Sequence, residues 1–249
     1  MVEIQSPLHR SIGLRLFIDV PLAAGAVLEP SSAQCHYLLT VMRCQRGDEA
    51  ALFNGRDGEW LAVIDAVERR RCRLVIREQL RPQTLEPGPA LLFAPLKRIR
   101  QEFLVEKATE LGVSRFAPVF TRRSVVDRVN RSRVLSIAIE AAEQSGRLTV
   151  PEFELPMSLD ELVETWPDDR LLLFGDESGA GEPLLETLRA RGQGDLLIGP
   201  EGGFTEDELA GLHGLDMGVA ISLGPRVLRA ETAALAALAC WQAVEAAAG

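Results

Sequence analysis

The sequence predicts an α/β protein: a parallel sheet with helices on both faces, preceded by a smaller β-rich domain. Three observations predict it. From residue 90 onward, short apolar runs alternate with longer segments of helical period, the pattern of a parallel sheet crossed by helices. Before residue 80 the pattern is strand after strand with hairpin turn residues between. Between the two lies Arg81-Pro-Gln-Thr-Leu-Glu-Pro-Gly-Pro89, with three prolines and a glycine, which reads as a linker over 81–89. The predicted domains are therefore 1–80 and 90–249.

In the first domain, residues 14–18 alternate and form a strand. Ser31 or Ser32 caps a helix running through Tyr37 and Leu39. Gly47-Asp48 marks a turn. Strands follow at 49–53, 59–67 and 72–77, with Asn54-Gly55 and Asp57-Gly58 supplying the turn between the first two.

In the second, residues 90–94 make an apolar strand. A helix over 98–111 turns Ile99, Phe103, Leu104, Ala108 and Leu111 inward and stops at Gly112. Residues 115–120 form a strand, and 130–145 a helix with Val134, Ile137, Ala138 and Ala141 inward. Ser158 caps a short helix over 159–164. Strand 171–174 leads into Gly175-Asp176-Glu177, and 183–191 is helical. Residues 196–198 form a buried strand that ends at Gly199-Pro200, after which Thr205 and Glu208 make a capping box. A strand over 219–222 and an apolar, Ala-rich helix from 230 to 247 complete the chain; Leu235, Leu238, Trp241 and Val244 suit a core or a subunit interface.

The loop Gly199-Pro200-Glu201-Gly202-Gly203 is the main candidate site. Its glycines admit close approach to the backbone, Pro200 stiffens it, and one carboxylate sits at its centre. Past the carboxyl end of a strand in an α/β sheet, such a loop is placed to bind a ligand. It matches neither phosphate-binding fingerprint, and Glu201 would repel phosphate. A ligand with a positive or hydrogen-bond-donating part fits better. Leu223-Gly-Pro-Arg-Val-Leu-Arg-Ala-Glu-Thr232 repeats the logic, with Arg226 and Arg229 three residues apart. Gly175-Asp176-Glu177 is a third, weaker loop at the same edge.

The net charge of −9 is unevenly spread. Residues 81–147 hold 12 Lys and Arg against 7 Asp and Glu, whereas 148–249 hold 5 against 19. The basic middle offers a face to nucleic acid in a chain that is acidic overall. Cys35, Cys44, Cys72 and Cys240 show no metal-type spacing, and His9, His36 and His213 are scattered, so no metal site is expected. The N-terminal residues lack a signal-peptide pattern and no run approaches the about 20 apolar residues of a membrane span, so a cytoplasmic protein without membrane contact is expected. From the residues alone the reading is an α/β enzyme with a glycine-loop ligand site and an RNA face.

A resemblance sharpens this. His36-Tyr-Leu-Leu-Thr-Val-Met-Arg43, Phe53-Asn-Gly55, Lys107-Ala-Thr-Glu-Leu-Gly-Val113, Thr121-Arg-Arg-Ser124, Ala141-Ala-Glu-Gln-Ser-Gly-Arg147 and the two Gly-Pro loops together resemble the bacterial 16S ribosomal RNA (uracil-N3)-methyltransferase family of the SPOUT superfamily. The likeness runs nearly end to end, although the family's basic N-terminal residues come later here, at Arg10 and Arg15. The resemblance implies a C-terminal trefoil knot, a PUA-like N-terminal β-barrel that docks RNA, and a homodimer. It implies S-adenosyl-L-methionine as cofactor and 16S rRNA, within the 30S subunit, as substrate. On that basis the cofactor is expected against Leu173, Gly175, Gly199, Pro200, Glu201, Gly202, Gly203, Leu223, Gly224, Leu228 and Arg229. Glu201 is expected to take the uracil N3 proton, and Arg229 and Arg226 to steady charge on an oxygen. RNA contact is expected from Arg15, Arg43, Lys97, Arg98, Arg100, Arg122, Arg123 and Arg147. Three alternatives stay open: a SPOUT enzyme acting on tRNA or a ribose 2′-hydroxyl, a non-catalytic RNA-binding relative, and a small-molecule α/β enzyme.

Overall fold

The computed structural model describes residues 13–176 and 180–248. His9, Arg10 and Glu177 lie outside the described residues. The chain divides into two units: residues up to Leu85 together with Gly146–Thr149, and Glu86–Ser145 together with Val150 onward.

In the first unit, strand β1 (Arg15–Phe17) and the short β2 (Val27–Leu28) precede helix α1 (Ser32–His36). Ser31 Oγ accepts from the Gln34 N–H while Gln34 Oε1 accepts from the Ser31 N–H, a reciprocal cap that starts α1. The helix runs on into a π-helical turn, Tyr37–Val41, capped by Met42, after which Arg43 takes φ 57°. Strands β3 (Glu49–Phe53), β4 (Glu59–Glu68) and β5 (Arg71–Arg81) follow, and the sheet order is β1-β3-β4-β5-β2. On β5 the side chains Cys72, Leu74 and Ile76 are buried in strict alternation, the period of a half-covered sheet. They close a core with Leu16, Leu38, Leu52 and Ile64.

One buried acid organises the arginines of this unit. Glu59 accepts from Arg15 Nε at 2.6 Å and from Arg81 Nε at 2.8 Å. Burial pushes its carboxyl up, but the hydrogen bonds from Arg81 and Arg15 outweigh it and hold the group below its ordinary value. Arg15 Nη2 also donates to the Arg147 carbonyl, and Arg81 Nη2 to that of Gly146, which is how segment 146–149 joins this unit. Two expectations change here. Arg15 has its guanidinium on Glu59 and over the Phe53 ring, and Arg147 is only 7% exposed, so neither is placed to meet phosphate. β5 also extends through Arg81, the first residue of the predicted linker, because Arg81 is held by Glu59.

The second unit contains β6 (Ala90–Phe93), α2 (Arg98–Glu110), β7 (Arg115–Phe120), α3 (Arg131–Ser145), β8 (Glu152–Phe153), β9 (Met157–Ser158) and α4 (Leu159–Thr165). It continues with β10 (Leu172–Gly175), β11 (Glu182–Pro183), α5 (Leu184–Arg191), β12 (Asp195–Ile198), α6 (Glu206–His213), β13 (Gly218–Ser222) and α7 (Ala230–Ala248). All described pairings are parallel, in the order β11-β13-β10-β12-β6-β7-β8, with β9 beside β7. Alternate residues of the central strands face opposite cores. Leu91, Phe93, Leu173, Leu196 and Ile198 pack with α2, α3, α5 and α7, whereas Leu92, Leu172, Phe174 and Leu197 pack with α4 and α6. Both faces are covered, which is why these strands read as continuous apolar runs.

Helix α2 departs from its predicted face. Leu104, Val105, Ala108 and Thr109 are buried, but Ile99 is 84% and Phe103 46% exposed. The apolar residues of α2 make two adjoining stripes, and the sheet covers one of them. In α7, Leu238 and Trp241 are buried, and Leu235 and Val244 are partly so. No helix among the described residues is long and apolar enough to cross a membrane.

Candidate functional site

Strands β12, β10 and β13 lie side by side, so their carboxyl ends bring three chain segments to one edge. A cleft of about 570 Å³ opens there. Its walls include Gly175, Gly199, Pro200, Glu201, Gly203, Leu223, Gly224, Arg226 and Leu228, which gathers most of the residues expected from the sequence.

The first loop is held from several sides. Gly203 N–H donates to the Pro200 carbonyl and closes a turn. Arg123 Nη1 donates to the carbonyls of Gly202 at 2.7 Å and Phe204 at 3.1 Å. Thr205 Oγ1 and Glu208 form the expected capping box at the start of α6. Glu208, 4% exposed, accepts from the Thr205 N–H with one oxygen and from the Arg122 N–H with the other. A Cβ on Gly199 would come within 2.9 Å of the Phe204 ring. The glycine at 199 is thus required by the loop's own packing, a cause additional to ligand access.

The second loop is held by less. Gly224 N–H donates to Ser222 Oγ at 3.3 Å, and the residue takes φ 109° with nothing within 4 Å of an added Cβ. Arg226, Val227 and Arg229 are exposed. The side chains of Arg226 and Arg229 form no ion pair with a described residue. Ala233 N–H donates to the Arg229 carbonyl, which begins α7.

Three expected residues stand off the cleft lining. Leu173 is fully buried within β10, Gly202 turns its free side towards Arg123, and Arg229 lies beyond the wall that Arg226 and Leu228 make. Residues the sequence reading missed include Ile198, Phe204, Leu209, Ile221 and Ala233, while Asp176 belongs to the third loop expected at this edge. Their signal was positional: Ile198 ends β12, Ile221 is next to last in β13, and Leu209 and Ala233 fall one helical turn inside α6 and α7.

Glu201 is not isolated. Its Oε1 accepts from Arg100 Nη1 at 2.5 Å, and Arg100 Nε stands 3.7 Å from Glu231 Oε1. Of the other expected RNA contacts, Arg98 is on Glu102 and Arg122 on Asp207, all at the surface of the second unit. The hydrogen bonds from Arg133 and then Arg98 pull the Glu102 carboxyl down to about 2. Lys97 and, in the first unit, Arg43 are exposed. Among the described residues no group of three or more His, Cys, Asp or Glu could hold a metal ion.

An apolar slot at the carboxyl edge of a parallel sheet, walled by two glycine loops and accompanied by a separate β unit, defines the class. A family model described as "RNA methyltransferase domain" matches residues 86–242, and one described as "RNA methyltransferase PUA domain" matches 31–77. The chain belongs to the ribosomal RNA small subunit methyltransferase E family. It is 34% identical to the protein of that name from Rickettsia conorii, over 90% of this chain and 93% of the relative. It is 32% identical to that from Synechocystis, over 90% and 76%. Among solved structures, the Neisseria gonorrhoeae ribosomal RNA small subunit methyltransferase E bound to S-adenosyl methionine is 29% identical, with a TM-score of 0.83, covering 93% of this chain and 97% of that one. A methyltransferase from Legionella pneumophila in complex with the bound cofactor SAM is 30% identical, with a TM-score of 0.80 and the same coverage.

Proposed function

We propose that this protein methylates N3 of a uridine in 16S rRNA of the small ribosomal subunit, in the cytoplasm, with S-adenosylmethionine as donor. The observation that carries the reading is the cleft between loops 199–203 and 223–229, in a chain of this family. The residues present fit the donor. The slot is lined by Ile198, Phe204, Leu209, Ile221, Leu223 and Leu228, which suits a flat adenine, and Glu201 at its rim suits a cation. When bound, the cofactor supplies an electrophilic methyl group on a sulfonium.

N3 lies on the Watson–Crick edge, so the uridine must be unpaired or turned out to reach the cleft. The N3 proton must leave as the new N–C bond forms, and Glu201 accepts it. Arg226, on the cleft wall, steadies charge developing on a uracil oxygen. Arg229 assists from outside the lining. Lys97, Arg98 and Arg122 offer the second unit's face to phosphate, and Arg43 that of the first. Affinity for RNA then falls steeply with added salt, and a flat salt dependence argues against these contacts.

The reading includes the trefoil threading and the dimer. From β10 the chain passes to β12 on one side and then returns as β13 on the other, a crossing that supports the threading. A second copy covers Ile99 and Phe103, and light scattering on Phe103→Asp tests it by loss of the dimer.

The direct test gives the protein methyl-labelled donor and 30S subunits lacking the modification. Label in 3-methyluridine supports the reading; no label, with the donor demonstrably bound, redirects it to another RNA. Glu201→Gln should lower transfer by about 100-fold or more, the usual share of a general base. Transfer at the parent rate removes Glu201 from that role.

A further inference from the structure

The Arg100 guanidinium stands between two carboxylates from different parts of the chain. Glu201 belongs to the cleft loop and Glu231 to the first turn of α7. The sharing is unequal: Arg100 Nη1 is 2.5 Å from Glu201 Oε1, whereas Arg100 Nε is 3.7 Å from Glu231 Oε1. Glu231 is 9% exposed, and its Oε2 is the one buried side-chain nitrogen or oxygen among the described residues without a hydrogen-bond partner. A buried oxygen without a hydrogen-bond partner is costly, and native structures rarely leave one unserved. The group best able to serve it is already beside it. A guanidinium is a planar fork whose N–H groups match both oxygens of one carboxylate, and it is at its strongest in that two-point contact.

We infer that Arg100 is a moving clamp: with RNA in the cleft it leaves Glu201 for a two-point contact with Glu231, and so frees Glu201 to receive the N3 proton. The inference rests on the proposed role of Glu201. In the state described, Oε1 of Glu201 accepts from Arg100 Nη1 at 2.5 Å, so the guanidinium occupies the approach to that oxygen. Shifting Arg100 satisfies Glu231 Oε2 and opens Glu201 in one movement, and the half-exposed setting of Arg100 and Glu201, at 33% and 32% side-chain exposure, leaves room for it. No new covalent chemistry is required. The N3 proton passes to Glu201 and from there to water, and Arg100 takes no part in the transfer. Arg100 and Glu231 are positioning residues, acting through Glu201.

The test is a set of four proteins, wild type, Glu231→Gln, Arg100→Met and the double variant, assayed for transfer to unmodified 30S subunits and, by calorimetry, for donor binding. Glu231→Gln removes the charge that draws Arg100 away, so Arg100 stays on Glu201. Its maximal rate should fall about tenfold, equivalent to about 1.4 kcal/mol, with donor affinity unchanged. In the double variant no guanidinium remains to block Glu201, so the rate should recover to several times that of Glu231→Gln. A merely structural ion pair gives the opposite order, with the double variant as slow as or slower than the single. That outcome, a Glu231→Gln protein at the wild-type rate, or a donor affinity that falls in step with the rate, overturns the clamp. An active wild type with no recovery in the double variant overturns the clamp alone; a wild type that transfers no label overturns the methyl-transfer reading itself.

Discussion

Between β12 and α6, loop 199–203 is closed by its own Gly203–Pro200 hydrogen bond, stapled by Arg123 and backed by Phe204. Between β13 and α7, the loop 223–229 begins with the same Gly-Pro pair, yet Arg226, Val227 and Arg229 stand in solvent. Similar residues have made one wall of the cleft that hydrogen bonds and packing hold and one whose side chains stand in solvent. A preset wall costs nothing to organise at the moment of binding, whereas an open one loses conformational freedom but can adjust to a large substrate. The candidate proton acceptor, Glu201, is on the first wall, and Arg226, proposed to steady charge on a uracil oxygen, is on the second.

Four substitutions would break or sharpen that contrast. The largest effect is expected from Gly199→Ala. Its new Cβ meets the Phe204 ring, so the fixed wall must shift, at about 1–3 kcal/mol. Donor affinity by calorimetry should fall at least about tenfold, and an unchanged affinity would mean that the wall's position does not matter. Arg123→Ala comes next. It strips two carbonyls of a charged donor, costing about 1–2 kcal/mol, and should lower both the melting temperature and donor affinity. Retention of both would show the staple to be ornamental. Gly224→Ala strains a φ of 109° but meets no atom, so about 1 kcal/mol is expected. It should appear in donor affinity with little change in melting temperature; a large thermal loss would show that the second loop is as fixed as the first. Val227→Ala, at a side chain 81% exposed, should change stability by less than about 0.5 kcal/mol in thermal unfolding.

The candidate site was legible to the extent that it is local. Gly-Pro after an apolar strand, and a hydroxyl three residues before Glu208, name the loop and its helix without reference to the rest of the chain. The state of each charged residue was not legible. Arg15 and Arg147 suited RNA by composition, yet Glu59 and the Phe53 ring hold the one and the first unit buries the other. Arg100 suited RNA too, and it is the partner of Glu201. On α2, Ile99 and Phe103 share the period of the core residues, and only the position of the sheet decides that they face outward.

The sequence by itself determined the alternation of strands and helices, the caps at Ser158 and Thr205, a cap at Ser31 or Ser32, and the two Gly-Pro loops. Those features rest on contacts within about one helical turn, or on a period that the chain displays directly. Tertiary structure decided that β10, β12 and β13 lie together, that segment 146–149 joins the first unit, and that Arg100 stands between Glu201 and Glu231. Arg100 and Glu201 are 101 positions apart, and Arg15 and the Arg147 carbonyl 132. A charge has no preferred partner in sequence; it takes the opposite charge that folding brings within reach, and at Glu59 burial then makes the choice binding.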